Sequence, residues 1–282
     1  MDNLLQLKRT EINIGLKREY KLFQISDAHM ACLDDESSIT DINDNKRFHA
    51  QWDTLKADFA KDANEFCDKR YDVEPNMLFE LLTKHALDFG ADALILSGDM
   101  FDRVSESNIR YMKRFLKSYP IPVIYCPGNH ESISENGEHI NQYERLVDVI
   151  NEPSANSVDF GEFEIVTIDN GTKKITDSQI SYLENKFETN KKILLVVHAP
   201  LNLGEFGSRM IKEKSPYFLL GVKGDSENCF RLNRLVMENS RKIIAVLTGH
   251  VHCFYEGAID ECLNQYTTSS ALIGAGREII IK

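Results

Sequence analysis

The chain has 282 residues, of which 42% are hydrophobic, and a formal net charge of −11 at pH 7. This length and composition suit one large globular domain or two small ones, with enough apolar surface to form a core without disulfide bonds. A generic nucleic-acid binder should be basic, so a nucleic-acid partner is not expected. An acidic protein that handles an anionic substrate needs local positive charge, which a bound metal ion supplies.

The cysteines and the hydrophobic runs predict a reduced, cytoplasmic protein. No two of the six cysteines have CxxC spacing, so neither a zinc knuckle nor a redox motif is predicted. The N-terminal stretch contains no apolar core of signal-peptide length. The longest aliphatic runs, at 193–197 and 243–247, have five residues each and are too short to span a membrane. We therefore expect no membrane partner.

Short apolar runs alternate with amphipathic stretches along the chain. Buried strands are predicted at 20–26, 93–97, 122–126, 163–169, 192–198 and 243–249. Helices are predicted at 75–90, 105–119 and 176–190. The C-terminal runs are typical of antiparallel strands, at 253–259, 263–272 and 277–281. This order predicts a single α/β domain over residues 1–282, with mixed sheets and outer helices.

The segment 30–74 is too long for a plain connection between a strand and a helix. Its first part is polar. Its second part has large apolar residues at helical spacing, namely Phe48, Trp52, Leu55, Phe59 and Phe66. We expect a partly helical insertion that lies over one edge of the sheet.

Side chains that bind metals follow five of the predicted strands. They are Asp27 and His29, Asp99 and Asp102, Asn129 and His130, His198, and His250 and His252. The carboxyl ends of strands are where sites form in an open α/β sheet. Each piece alone has an ordinary structural explanation, such as a polar turn, a capping aspartate or a buried histidine. All five together, in order and at strand ends, predict a metal site.

The candidate ligands number two aspartates, one asparagine and four histidines. This mixture suits Mn, Fe or Zn better than calcium, and it requires no thiolate. There are too many ligands for one tetrahedral ion. Two ions that share a carboxylate at a separation of ~3.5–4 Å fit better.

The series DxH, GDxxD, GNHE, His198 and GHxH resembles the calcineurin-like metallophosphoesterase superfamily over residues 20–252. The resemblance implies a four-layer αββα sandwich, with two mixed sheets packed together and helices outside. It implies a first metal ion bound by Asp27, His29 and His252. It implies a second metal ion bound by Asn129, His198 and His250, with Asp99 bridging the two ions.

The resemblance also implies a mechanism. His130 would face the substrate and would not bind a metal, and Asp102 would orient the His130 ring. A hydroxide that bridges the metals would attack phosphorus in a small-molecule phosphate ester. His130 would stabilise the phosphoryl oxygens or protonate the leaving group. Glu131 stands where many small-molecule members have aspartate, but it is not an expected ligand, so this difference decides little.

Substrate choice is expected to come from loops above the metals. The segment 201–225, called the lid segment below, contains Arg209, Lys212, Lys214 and Tyr217 and is predicted to be a flexible basic lid. Arg103 and Arg209 are the candidate substrate-binding residues, although a surface arginine that caps a loop explains Arg103 equally well.

Several functions remain open at this point. A phosphodiesterase, such as one of cyclic-nucleotide type, and a phosphomonoesterase both fit. A phosphoprotein phosphatase needs a broad groove, and the long insertion argues mildly against it. The acidic charge argues against a nuclease. A non-catalytic scaffold typically lacks the catalytic histidine, which is present here as His130.

Overall fold

The computed structural model describes residues 4–62, 73–147, 149–150 and 152–282. The strands within these residues are β1 (Gln6–Ile12), β2 (Tyr20–Ile25), β3 (Ala93–Leu96), β4 (Val123–Tyr125), β5 (Ala155–Asp159), β6 (Phe163–Ile168), β7 (Lys192–Val196), β8 (Ile243–Thr248), β9 (Tyr255–Ala258), β10 (Asn264–Thr267) and β11 (Ala275–Ile281). The α-helices are α1 (Ile39–Asp62), α2 (Pro75–Asp88), α3 (Glu106–Ser118), α4 (Gln142–Leu146), α5 (Asp177–Phe187), α6 (Gly204–Glu213) and α7 (Glu227–Glu238).

The strands form two mixed sheets. The first sheet has the order β1-β11-β2-β3-β4, and the second has the order β5-β6-β7-β8-β10-β9. Strands β2, β3 and β4 are parallel, as are β6, β7, β8 and β10. Parallel neighbours need crossover connections. Helices α2, α3, α5 and α7 lie in the crossovers between β2 and β3, β3 and β4, β6 and β7, and β7 and β8, whereas β8 and β10 are connected through β9.

Alternation of side chains along the strands separates three apolar layers. Leu22 and Ile95 of the first sheet pack against Leu194 and Leu247 of the second in the layer between the sheets. The opposite face of the first sheet packs against α2 and α3, and that of the second against α5 and α7. Both sheets are therefore buried on both faces, which explains why their strands read as continuous apolar runs. The predicted sandwich of two sheets with outer helices is confirmed.

The C-terminal strands pair differently from the prediction. Antiparallel pairing holds for β9 and β10, but β10 also runs parallel to β8. Strand β11 crosses to the first sheet, where it is antiparallel to β2 and parallel to β1. Strand β1 itself was not predicted, because its sequence QLKRTEI alternates charged residues with few apolar ones, as an edge strand often does.

Helix α1 accounts for the helical part of the segment 30–74. Phe48 and Trp52 are buried and pack with Ala31 and Leu272. The side chains at Leu55 and Phe59, and all of Phe66, lie outside the described residues. In the parts of the chain that the structure describes, no helix combines the length and the apolar character that crossing a membrane requires.

Candidate metal centre

Five strand ends carry the predicted ligands. Asp27, Asp99 and Asn129 follow the parallel strands β2, β3 and β4 of the first sheet. His198 and His250 follow the parallel strands β7 and β8 of the second sheet. Because parallel strands end at the same edge of a sheet, the two packed sheets present these side chains to one another.

One cluster consists of Asp27, His29 and His252. The Nε2 atom of His252 lies 3.2 Å from Oδ1 of Asp27 and 3.2 Å from Nε2 of His29. One possible ligand atom from each residue lies within 4.8 Å of the other two, so a single ion can contact all three. The structure thus brings together the residues predicted for the first metal ion.

Asp99, His198 and His250 form a second cluster, also with ligand atoms within 4.8 Å of one another. The Nε2 atom of His198 lies 3.2 Å from Oδ2 of Asp99 and 3.2 Å from Oδ1 of Asn129. The Nδ1 atom of His198 lies 2.8 Å from the carbonyl oxygen of Ser97, which can only accept a hydrogen bond. This contact fixes the ring and leaves Nε2 as the atom that can bind a cation.

The ligand residues share an uncommon backbone conformation. Five of the seven predicted ligands have φ between +43° and +71°, namely Asp27, His29, Asp99, His250 and His252. A residue other than glycine held in this region costs of the order of 1–3 kcal/mol, and such strain collects at functional sites. Among the described residues other than glycine, only Glu152 and Lys173 also have a positive φ, so backbone strain is concentrated at the motif residues.

Two glycines beside the ligands have no space for a side chain. A Cβ atom at Gly98 would lie 2.3 Å from Nδ1 of His198, and the φ of Gly98 is +94°. A Cβ atom at Gly249 would lie 1.7 Å from Oγ of Ser26 and 2.6 Å from Oδ2 of Asp27. Glycine is needed at both positions because the main chain approaches ligand side chains closely.

The pKa values of the residues in the second cluster depend on one another's charges. Burial alone would raise the pKa of Asp99, but the neighbouring His198 lowers it well below its usual range. Burial would lower the pKa of His198, but the Asp99 carboxylate outweighs it and raises that pKa to about 10. Burial, together with the neighbouring His198, lowers the pKa of His250 to about 4. The buried carboxylate thus attracts positive charge, and a cation bound there would take the place of the His198 proton.

Glu131 holds the two ligand loops together. Its carboxylate is fully buried and accepts main-chain hydrogen bonds from Asp99 at 2.9 Å, Met100 at 2.7 Å and Gly128 at 2.7 Å. It also accepts from the hydroxyl of Tyr125 at 2.8 Å. Glu131 is not part of either ligand cluster, and its hydrogen bonds fix the backbone that carries Asp99.

His130 lies beside the two clusters and faces the cleft. Its Nδ1 atom lies 2.8 Å from the main-chain carbonyl oxygen of Asp102, and 3.9 Å from the Asp102 carboxylate. The ring is therefore held by the carbonyl group of Asp102, where the sequence predicted its carboxylate. Burial would lower the pKa of His130, but Asp99 and the Asp102 contacts raise it above its ordinary value.

An arginine that the sequence analysis missed binds the Asp102 carboxylate. Arg47, on α1, donates from Nη2 to Oδ2 of Asp102 and from Nε to Oδ1 of Asp44 at 2.8 Å. The insertion therefore reaches the centre of the site. No local signal in the sequence could show this, because Arg47 and Asp102 are 55 residues apart and belong to no common motif.

The two arginines predicted to bind substrate have other partners. Arg103 donates from Nη1 to Asp44 at 3.3 Å and to the carbonyl oxygen of Glu135 at 3.3 Å. Arg209, on α6, lies 3.5 Å from Glu213, and its guanidinium carbon is 5.1 Å from the centre of the Tyr255 ring. Neither arginine is among the described residues that line the two cavities at the ligand clusters.

Two cavities meet at the ligand clusters. The smaller, of about 370 Å³, is lined by Asp99, Asn129, His130, Tyr217, Phe218, His250, Val251 and His252. The larger, of about 910 Å³, shares Asn129, Tyr217 and His250 with the smaller one. Tyr217 and Phe218, both in the lid segment, line the smaller cavity, and Tyr217 also lines the larger one. The side chain of Tyr217 is 74% exposed and stands at the boundary of the two cavities.

The side chains present fit metal cations. Asp27 and Asp99 are buried carboxylates that face imidazoles and an amide oxygen, and buried charges need an ion partner or a metal. The donor atoms form two groups at the ends of the two sheets. Asp99 lies 3.2 Å from His198 and also interacts electrostatically with His29 and His130. The mixture of oxygen and imidazole donors suits Mn, Fe or Zn.

Comparisons with known proteins agree with this geometry. Residues 20–254 match the family model described as calcineurin-like phosphoesterase. A probable cyclic nucleotide phosphodiesterase from Fibrobacter succinogenes is 27% identical over 188 residues, which are 65% of this chain and 58% of that protein. The chain thus spans under two thirds of that relative's length.

A solved structure shows the same fold. A dimetal phosphatase from Danio rerio superposes with a TM-score of 0.55 at 10% identity, covering 90% of this chain and 88% of the other. A putative 5′-nucleotidase from Staphylococcus aureus gives a TM-score of 0.41 at 12% identity, covering 90% of this chain and 49% of the other. The first likeness supports the arrangement of two sheets and outer helices described above.

Proposed function

The chain belongs to the calcineurin-like phosphoesterase family, and from that premise we propose that it hydrolyses small-molecule phosphate esters with two bound metal ions. The observation that carries the proposal is the convergence of two ligand clusters, from the ends of two sheets, beside His130. Phosphodiesters of cyclic-nucleotide type are the first candidates, because the Fibrobacter relative is named as a probable enzyme of that type.

Each ion has a proposed set of ligands. Asp27, His29 and His252 would hold the first ion, and Asn129, His198 and His250 the second, with Asp99 shared between them. When bound, such a pair supplies an activated water as nucleophile and positive charge for the phosphate oxygens. The main-chain contacts of Glu131 and Ser97 keep Asp99 and His198 in place for this role.

His130 is the proposed proton donor. Its Nδ1 donates to the carbonyl of Asp102, which leaves Nε2 for the substrate. Burial acts to lower the pKa of His130, but the neighbouring Asp99 and Asp102 raise it above its ordinary value, which increases the protonated fraction of the ring. A protonated His130 at the wall of the cleft can donate a hydrogen bond to a phosphoryl oxygen or a proton to the leaving alcohol. Hydrolysis adds water across the P–O bond and yields an alcohol and a phosphate with one ester group fewer.

The size of the cleft agrees with a small-molecule ester. Pockets for small ligands generally measure about 300–1,000 Å³. The two adjoining cavities, of about 370 Å³ and about 910 Å³, provide room for the phosphate and for an organic group attached to it.

The test uses Mn-loaded protein with p-nitrophenyl phosphate and bis-p-nitrophenyl phosphate. Asp99→Ala should abolish metal-dependent turnover. His130→Ala should lower kcat by about 10²–10⁴-fold and retain its bound metal, measured by elemental analysis. His49→Ala, at a partly exposed position on α1, is the matched control and should behave as the wild type. Full activity of His130→Ala would contradict the role of His130, and equal activity of Asp99→Ala would contradict the metal mechanism.

A further inference from the structure

The larger cavity beside the ligand clusters has a basic wall. Its charged lining among the described residues consists of Lys173, Lys174, Lys223 and Asp225, together with His139. The whole chain carries a net charge of −11, so three lysines against one carboxylate reverse the local sign of charge. A cleft lined by one sign of charge concentrates ligands of the other sign. We call this space the lysine-lined cavity.

The lysines come from two separate loops. Lys173 and Lys174 follow β6, and Lys223 lies between α6 and α7. The side chains of Lys174 and Lys223 are exposed, and the structure records no ion pair for either within the residues it describes. The carboxylate of Asp225 faces its own loop, since its Oδ2 atom accepts the main-chain N–H groups of Gly221 at 2.8 Å and Val222 at 3.1 Å. The positive charge of the two exposed lysines is therefore available to a ligand.

Tyr217 connects the lysines to the metal-ligand clusters. The Nζ atom of Lys173 donates to the carbonyl oxygen of Tyr217 at 2.7 Å and lies 5.3 Å from the centre of its ring. The neighbouring Phe218 ring lies 5.6 Å from the ring of His250, edge to face. Tyr217 lines both cavities and leaves most of its ring exposed. An exposed aromatic ring between a lysine-lined space and the candidate metal ligands is suited to stack a nucleobase.

We propose that the lysine-lined cavity binds a second phosphate of the substrate, so that the preferred substrates are nucleotide-like phosphate esters carrying a phosphate besides the scissile one. This inference rests on the proposed function. It adds a requirement that a simple cyclic mononucleotide does not meet, because such a molecule carries only its scissile phosphate. The second phosphate would pair with Lys174 and Lys223 while the base lies against Tyr217.

The experiment compares substrates that differ by one phosphate. For a diester, the pair is adenylyl-(3′→5′)-adenosine and its 5′-phosphorylated form. For a monoester, the pair is adenosine 5′-monophosphate and adenosine 3′,5′-bisphosphate. We expect kcat/KM to be about 10- to 100-fold higher for the member with the extra phosphate, mostly through a lower KM, because charge-assisted hydrogen bonds are among the stronger ones. The advantage should shrink as the salt concentration rises.

Two double variants separate the cavity from net charge. Lys174→Ala/Lys223→Ala should remove the advantage of the extra phosphate and leave p-nitrophenyl phosphate hydrolysis unchanged. Lys84→Ala/Lys117→Ala removes the same charge from exposed positions on α2 and α3 and should keep the advantage. Calorimetric titration of metal-loaded His130→Ala protein, with and without the cavity substitutions, should show the same difference in Kd without turnover.

Two outcomes would overturn the inference. One is a wild type that treats the two members of each pair alike, and the other is a cavity variant that keeps the preference. If p-nitrophenyl esters are still hydrolysed in either case, the proposed function stands and the second-phosphate site fails. If the wild type hydrolyses no ester at all, the proposed function fails, and the Kd difference alone decides whether the cavity binds a second phosphate.

Discussion

Glu131 shows how a residue outside the ligand set can determine the site. Its carboxylate gathers the N–H groups of two loops, one carrying Asp99 and the other following β4, into one buried hydrogen-bond cluster. A carboxylate accepts hydrogen bonds through both oxygens and donates none when ionised, so it matches a group of donors better than an amide would. The loop geometry depends on this match.

We predict that Glu131→Gln destabilises the fold by about 3 kcal/mol and weakens metal binding. The amide NH₂ group of glutamine would face main-chain donors, and a buried donor left without a partner costs about 1–3 kcal/mol. Urea denaturation would measure the free energy of unfolding, and competition with a chelator would measure Mn affinity. Glu138→Gln, at an exposed position seven residues along, is the control. An unchanged unfolding free energy would show that the cluster tolerates an amide.

The candidate ligand residues were easier to identify from the sequence than their surroundings. Asp27, Asp99 and His198 could be named from the sequence because each follows an apolar run, and parallel strands end at one edge. Neither the positive φ of the ligands nor the carbonyl contact between Asp102 and His130 could be predicted, because both depend on how loops from distant parts of the chain meet. The substrate roles expected for Arg103 and Arg209 rested only on charge and position along the chain.

At the scale of elements, helix α1 contributes a side chain that contacts the candidate site. Phe48 and Trp52 anchor the helix on the core, and Arg47, adjacent to Phe48, contacts Asp102. Asp44, one turn earlier on the same helix, is buried and binds both Arg47 and Arg103. The insertion therefore links the position of Asp102 to the packing of a whole helix.

We predict that Arg47→Ala lowers kcat for p-nitrophenyl esters by about tenfold while metal content stays the same. The Asp102 carboxylate now lies 3.8 Å from His29 and 3.9 Å from His130. Without Arg47 it can turn toward these rings and disturb the hydrogen bond between His130 and the Asp102 carbonyl group. Arg47→Lys should restore part of the activity, because lysine can reach only one of the two carboxylates that arginine bridges.

The control for Arg47 is Lys46→Ala, the exposed neighbour on α1, which should keep wild-type kcat. A rise in KM alone, with kcat unchanged, would mean that Arg47 contacts substrate directly and does not position Asp102. Loss of metal from Arg47→Ala would mean that the substitution disturbs the proposed metal ligand His29.

Strand prediction succeeded for the apolar runs and missed two polar strands, β1 and β5. The six apolar runs became strands within one or two residues of the predicted bounds, because strands covered on both faces are apolar throughout. Strands β1 and β5 lie at the outer edges of their sheets and contain too many polar residues to stand out. The transfer of β11 to the first sheet is a long-range event that no local pattern records.

At the scale of the whole molecule, the site lies across the boundary between the two sheets. Asp27, Asp99 and Asn129 come from the first sheet, and His198 and His250 come from the second. The proposed ions would therefore connect the two sheets at their carboxyl ends. Burial and the neighbouring Asp99 act to raise the pKa of Asp27, but His252 outweighs them and lowers it to about 2. A bound cation would further reduce the repulsion between the Asp27 and Asp99 carboxylates.

We predict that removing the metal lowers the thermal stability of the whole fold. A ligand present at 100 times its Kd stabilises the folded state by about 2.7 kcal/mol, which corresponds to a Tm shift of about 5–10 °C for a chain of this size. Differential scanning calorimetry with Mn and with a chelator would measure the shift, and its size should grow with Mn concentration. Asp99→Ala, which loses the carboxylate proposed to be shared by both ions, should show little or no shift. An equal Tm shift in Asp99→Ala would mean that the stabilising metal binds elsewhere. If the protein unfolds in a single cooperative transition, and its Tm rises with Mn only when Asp99 is present, metal binding at Asp99 stabilises both sheets together.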